Sequence, residues 1–160
     1  MTPADTLLLA ETIREAINTG YTLPLDWTAV KSRVSQAGLT GEALMESLDA
    51  IARADYVNVQ LRANDHVSHY ELTRFGYTIG ITAVVPDIDE VHKRIIAALI
   101  NDPPKDRSAL ADLATQAATD ELIVDQLLRN LEDQGLVGTS RTFGGVKVHD
   151  ISPTLHRLIN

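Results

Sequence analysis

The chain has 160 residues, enough for one mid-sized domain or two small ones. Hydrophobic residues make up 44% and aromatics only 4%, so any core must rest on Leu, Ile, Val and Ala. With no cysteine there are no disulfides and no thiolate metal sites, and a formal net charge of -8 repels nucleic acid unless the few cations gather on one face.

The longest early apolar run, Leu7-Leu8-Leu9-Ala10, is too short for a signal-peptide core and follows Asp5 instead of a basic segment. No stretch approaches the roughly 18 apolar residues of a membrane span. The expectation is a cytoplasmic protein without a membrane partner.

In the first half, Leu9, Ile13, Ala16 and Ile17 fall on one helical face, and Gly20 stops that helix. A loop with Pro24 leads to Asp26, a natural N-cap. Trp27, Val30, Val34 and Ala37 mark a second helix closed by Gly38. Thr40 opens a third, with Leu44, Leu48 and Ile51 on its buried stripe. Residues 56–61 then alternate, placing Val57, Val59 and Leu61 on one side of a strand. The turn-prone Arg62-Ala63-Asn64-Asp65 precedes a return strand near residues 69–72.

The second half repeats this order at a spacing near eighty: Val34 corresponds to Ala114, Leu48 to Leu128, Ile51 to Leu131 and Val57 to Val137. Ile88, Val91, Ile95 and Leu99 share a helical face that Asp102-Pro103-Pro104 terminates. Ser108 can cap a helix carrying Leu110, Leu113 and Ala117. Thr119 opens another, carrying Val124, Leu127, Leu128 and Leu131 and ending at Gly135. Phe143-Gly144-Gly145 reads as a hairpin turn, since paired glycines accept positive φ freely. The boundary falls at Ala83-Val84-Val85-Pro86, giving domains 1–85 and 86–160.

Three helices and a two-stranded hairpin, twice over, resemble the winged-helix family of helix-turn-helix domains. Three features carry the resemblance. Tight turns separate the second and third helices, at Gly38-Leu39-Thr40 and Ala118-Thr119. The third helix runs directly into a strand, as Asp133-Gln134-Gly135-Leu136-Val137. A Leu-Thr-x-x-Gly segment, Leu72-Thr73-Arg74-Phe75-Gly76, follows the first hairpin; the second copy departs from it, with Leu155 where glycine is usual. The resemblance implies a mainly α fold with small β hairpins (α+β): tandem winged-helix domains, each of three helices plus a two-stranded wing.

Winged-helix proteins commonly lay the third helix in the DNA major groove with the wing beside the backbone. Here the third helices are acidic. The first carries Glu42, Glu46 and Asp49 against Arg53; the second carries Asp120, Glu121, Asp125, Glu132 and Asp133 against Arg129. Gln126 and Asn130 are the only base-reading amides on the second. Phosphate contacts would fall to Lys31 and Arg33 on the second helix, to Arg62 at the first wing and to Arg141 and Lys147 at the second. Both halves are equally acidic, with 6 basic and 10 acidic side chains in residues 1–85 and 8 and 12 in residues 86–160.

The electrostatics therefore favour a protein-interaction, scaffolding or regulatory module, including self-association, over a DNA-binding transcription regulator. Interface candidates are Tyr21, Leu23 and Leu25 around Pro24, and Phe75 and Tyr77 in an apolar segment over residues 75–85 whose plainer use is to cover a domain seam. His66 and His69, three apart near Asp65 and Glu71, are weak metal-ligand candidates; a polar wing is the commoner meaning. Asp87, Asp89 and Glu90 suit the positive end of a helix dipole without a metal. There is no nucleophile motif and no phosphate-cradling loop, so neither enzyme activity nor a cofactor is expected.

Overall fold

The computed structural model describes residues 1–160 as an α+β chain of seven helices and two separate antiparallel two-stranded sheets. It divides into two compact units, Met1–Pro86 and Asp87–Asn160.

Unit one contains α1 (Pro3–Thr19), α2 (Trp27–Gln36), α3 (Gly41–Arg53), β1 (Val57–Arg62), β2 (His66–Leu72) and α4 (Arg74–Val84), with a 3-10 turn at Ala63–Asp65 between the strands. Helix α1 starts six residues before its apolar face suggests. Thr2 accepts from the Asp5 amide, and Asp5 accepts in return from the Thr2 amide, a reciprocal capping box with Pro3 in the first turn. Asp26 caps α2 through the amides of Thr28 and Ala29. Thr40 precedes α3 without a side-chain capping bond.

Unit two contains α5 (Ile88–Asn101), α6 (Ala109–Ala117), α7 (Glu121–Asp133), β3 (Val137–Thr142) and β4 (Gly145–Ile151), closed by a 3-10 turn at Leu155–Leu158. The repeat at eighty extends to backbone detail. Gly38 and Ala118 are both left-handed, as are Asp55 and Gly135. The amides of Leu39 and Thr119 donate back to Val34 and Ala114, and those of Tyr56 and Leu136 to Ile51 and Leu131. The same chain reversals thus recur although the side chains differ.

The segment before α2 is not a free loop. The Leu25 amide donates to the Tyr70 carbonyl and the Leu72 amide to Thr22, so residues 22–25 run along β2. That buries Leu25, which corrects its place among the exposed interface candidates. Unit two has a counterpart, a parallel bridge between Ser108 and Val146, with the Val146 amide donating to the Arg107 carbonyl at 3.0 Å.

Residues 75–84 belong to a fourth helix, α4, with Val85 as its C-cap. The Leu-Thr-x-x-Gly segment explains why. Leu72 is core. The Thr73 amide donates to the Tyr56 carbonyl, its hydroxyl donates to the Asp55 carbonyl at 2.6 Å, and the same hydroxyl accepts from the Gly76 amide, capping α4. Gly76 lies directly on the Tyr56 backbone, where no Cβ fits. One turn on, a Cβ at Gly80 would lie 2.6 Å from Ile13 Cδ1, so Gly80 lets α4 settle closely against α1 as Gly76 lets it settle on Tyr56. Tyr77 and Ile81 share this inward face, so Tyr77 is buried and is likewise withdrawn from the interface set.

In unit two the Ser152 amide donates to Leu136 as Thr73 does to Tyr56. Leu155 then stands where glycine would allow close approach. The chain folds into a short 3-10 turn instead of a helix, with Leu155 fully buried.

A buried polar pair ties α1 to β2. The Thr12 hydroxyl donates to the Leu8 carbonyl at 2.8 Å and shares a 2.6 Å bond with the Tyr70 hydroxyl. Burial pushes the Tyr70 phenol well above its ordinary range, partly opposed by the Thr12 bond. Thr12→Val, which orphans the Tyr70 hydroxyl, is expected to cost about 1–3 kcal/mol. Tyr70→Phe leaves Thr12 bonded to Leu8 and is expected to cost only about 0.5–1.5 kcal/mol. Urea titration of the two variants checks the order.

No helix is long and apolar enough to cross a membrane.

Candidate interaction surface

The two third helices differ in how much of themselves they leave free. On α3 the inward stripe is Leu44, Ser47, Leu48 and Ile51, while Glu42, Glu46 and Asp49 stand exposed. On α7, Leu122, Ile123, Val124, Gln126, Leu127, Leu128 and Leu131 are all buried. A helix apolar on so much of its circumference has no broad face left for a groove. Gln126, one of the two base-reading amides expected on it, is among the buried residues.

The five cations named as phosphate contacts fare unequally. Arg33 reaches back to α1, with Nε 3.0 Å from Glu11 and Nη2 2.7 Å from Glu15. Arg141 pairs with Asp125, which also holds Arg129 Nε at 2.9 Å. These two arginines are therefore committed to carboxylates of their own unit. Lys31, Arg62 and Lys147 are exposed and have no ion-pair partner. In unit one the free pair is Lys31 and Arg62; in unit two Lys147 is the one free member of the set.

Beside α3 lies an apolar groove of about 180 Å³ lined by Met45, Leu48, Asp49, Ala52, Val59 and Leu61. Its origin is the strand pattern. In β1 the residues Val57, Val59 and Leu61 share a face, paired with Leu72, Tyr70 and Val67 of β2. Burial falls along that face: Val57 is buried, Val59 half-buried and Leu61 53% exposed. The apolar alternation continues past the point where the core ends, and Met45 and Ala52 of α3 supply the other wall.

No protein-family model, curated protein or solved structure matches the chain. The surface is therefore read on its own chemistry.

A second depression, about 440 Å³, lies between the start of α2 and the first hairpin and includes Asp26, Trp27, Lys31, Asp65, His66 and His69. The strand register passes over Ser68, pairing Leu61 with Val67 and Gln60 with His69. This bulge brings His66 and His69 to one cleft although they are three apart. His69 Nε2 lies 3.7 Å from the Glu71 carboxylate. No group of three or more His, Asp or Glu side chains comes together here or elsewhere as a metal site. The cleft's one tightly packed feature is the edge-on contact of Trp27 with Tyr70, at 5.0 Å between centroids.

Of the apolar interface candidates, Tyr21, Leu23 and Phe75 are exposed. Phe75 is partly engaged, tilted against Tyr56 at 5.5 Å. Sequence reasoning missed Leu61 and Met45 because both sit in phase with core residues. It missed Phe143 because the residue lies in a turn read for its glycines. Yet Phe143 is fully exposed, the most exposed large apolar side chain in the protein.

Proposed function

We propose that the chain is a non-enzymatic protein-contact module built from two winged-helix domains. The order of three helices and a hairpin in each unit, together with the repeated turns at Gly38 and Ala118, supports the domain reading. One observation carries the functional reading. Beside α3 and β1, where a DNA-binding winged helix would meet phosphate, this chain presents an apolar groove lined in part by Asp49, itself paired with Arg53, with Glu42 and Glu46 exposed on the same helix. Exposed apolar area beside carboxylates suits a protein partner and opposes a polyanion. The commitment of Arg33 and Arg141 to internal carboxylates points the same way.

The competing reading, a DNA-binding transcription regulator, draws on the unpaired Lys31 and Arg62 of unit one and Lys147 of unit two. Fluorescence anisotropy with a random duplex at about 50 mM salt separates the two readings. The protein-contact reading predicts no saturable binding up to about 100 µM, the weak edge of ordinary non-specific affinity. Micromolar binding that weakens steeply with added salt overturns it.

A further inference from the structure

We infer that the chain self-associates head to tail, Phe143 at the tip of the second hairpin seating in the α3–β1 groove of a second copy. The inference rests on the protein-contact reading above and names its partner.

Phe143 occupies the two-residue turn between β3 and β4, where Thr142 pairs with Gly145. The positive φ of this turn falls on Gly145 and not on Phe143, so the position accepts most residues and no backbone constraint selects a phenyl ring. A phenyl ring there does no structural work: it is fully exposed and stacks on no other ring. Exposed aromatic side chains that serve no fold are the commonest anchors of protein contacts. The groove at Leu61 is the complementary feature, an apolar depression lined by Met45, Leu48, Ala52, Val59 and the exposed Leu61.

Charge matches the pairing. Arg107 packs over Gly144 and Lys147 stands on β4; neither has an ion-pair partner, so the hairpin tip is locally basic. On α3 beside the groove Glu42 and Glu46 are exposed and have no ion-pair partner, while Asp49, which lines it, is held by Arg53 Nε at 2.9 Å. Opposite potentials of this kind orient encounter and fix register. Both halves of the contact belong to this chain, and Phe143 is fully exposed. Because the knob and the groove are different surfaces, the contact is heterologous, and copies add head to tail into chains or closed rings. A single-anchor contact buries well under the roughly 1,200 Å² of stable interfaces, so association belongs at high protein concentration.

Sedimentation of the full chain from about 10 µM to 1 mM at low salt tests this. Weight-average mass is expected to rise at least about 1.5-fold, and added salt to suppress the rise. Phe143→Ser removes the knob and Leu61→Glu the groove; each alone is expected to stay monomeric. Both positions are exposed, so unchanged circular dichroism and melting temperature confirm that the variants fold. Mixing the two variants restores one knob–groove pair, and association stops at dimers. A wild-type chain that is monomeric at 1 mM overturns the inference, as do variants that associate like wild type or a mixture that stays monomeric. If that monomeric chain also ignores duplex DNA, only self-association fails; DNA binding instead removes the reading on which it rests.

Discussion

Gly76→Ala is expected to lower the melting temperature by about 12–24 °C, the equivalent of about 3 kcal/mol in a unit of this size. Helix propensity alone predicts the opposite sign. Gly76 lies inside α4, where alanine is favoured over glycine by about 0.8–1.0 kcal/mol, and no left-handed φ protects it. Sterics decide the outcome. The new Cβ would collide with the Tyr56 carbonyl, carbon and Cα, which are backbone and cannot rotate aside. The same carbonyl accepts from the Thr73 amide, and the neighbouring Asp55 carbonyl from the Thr73 hydroxyl, so moving this segment also loosens the cap of α4. Overpacking usually costs about 1–3 kcal/mol, and a rigid neighbour places this case at the upper end. Gly20→Ala is the control. Its φ of 81° is unfavourable to alanine, but open space surrounds it, so the cost is held to about 1–2 kcal/mol. A calorimetric scan in which Gly76→Ala melts at or above wild type would refute the close contact.

The second large effect concerns two adjacent glycines that the sequence treats alike. Gly145→Ala is expected to destabilise unit two by about 3 kcal/mol, while Gly144→Ala stays within about 0.5 kcal/mol. Gly145 has φ of 125°, a conformation closed to alanine, and its missing Cβ faces the Arg107 carbonyl. That carbonyl accepts from Val146 in the bridge joining the hairpin to the segment before α6. A methyl group at Gly144 would meet only the Arg107 guanidinium, Nη1 at 3.3 Å, at the free end of a flexible side chain. Hydrogen exchange supplies the local readout: the Val146 amide should lose protection in Gly145→Ala and keep it in Gly144→Ala. Equal behaviour of the two variants would show that the bridge does not depend on this glycine.

Much of the architecture was legible because local signals agreed with one another. The stripe of Leu44, Leu48 and Ile51, the alternation of Val57, Val59 and Leu61, and the stops at Gly20, Gly38 and Gly135 each specify a local conformation without help from distant chain. The repeat at eighty added a check, since the first three helices and the hairpin of one half are answered in the other. Helix α4 was illegible for a matching reason. Its residues include two glycines and β-branched Thr, Ile and Val, all poor helix formers. What stabilises it is the close seat on α1 and on the Tyr56 backbone, which no window of sequence contains.

The interaction surface divides in the same way. Its charge was visible at once, because Glu42, Glu46, Asp49 and the five acids near α7 need only be counted. Which cations remain free was not. Arg33 and Lys31 are two residues apart and look equivalent, yet one is held by Glu11 and Glu15 while the other is unpaired. Leu25 and Leu23 are likewise two apart, and hydrogen bonding of residues 22–25 along β2 buries only Leu25.

The sequence by itself determined the order of the three helices and hairpin in each half, their recurrence at a spacing near eighty and the acidity of the third helices, since these depend on neighbours within a few residues. Only the tertiary structure decided which apolar side chains are surface, which arginines are spent on internal carboxylates, and which glycines are irreplaceable. Those outcomes depend on contacts between segments tens of residues apart, where one carbonyl or one carboxylate selects between side chains that look alike in the chain.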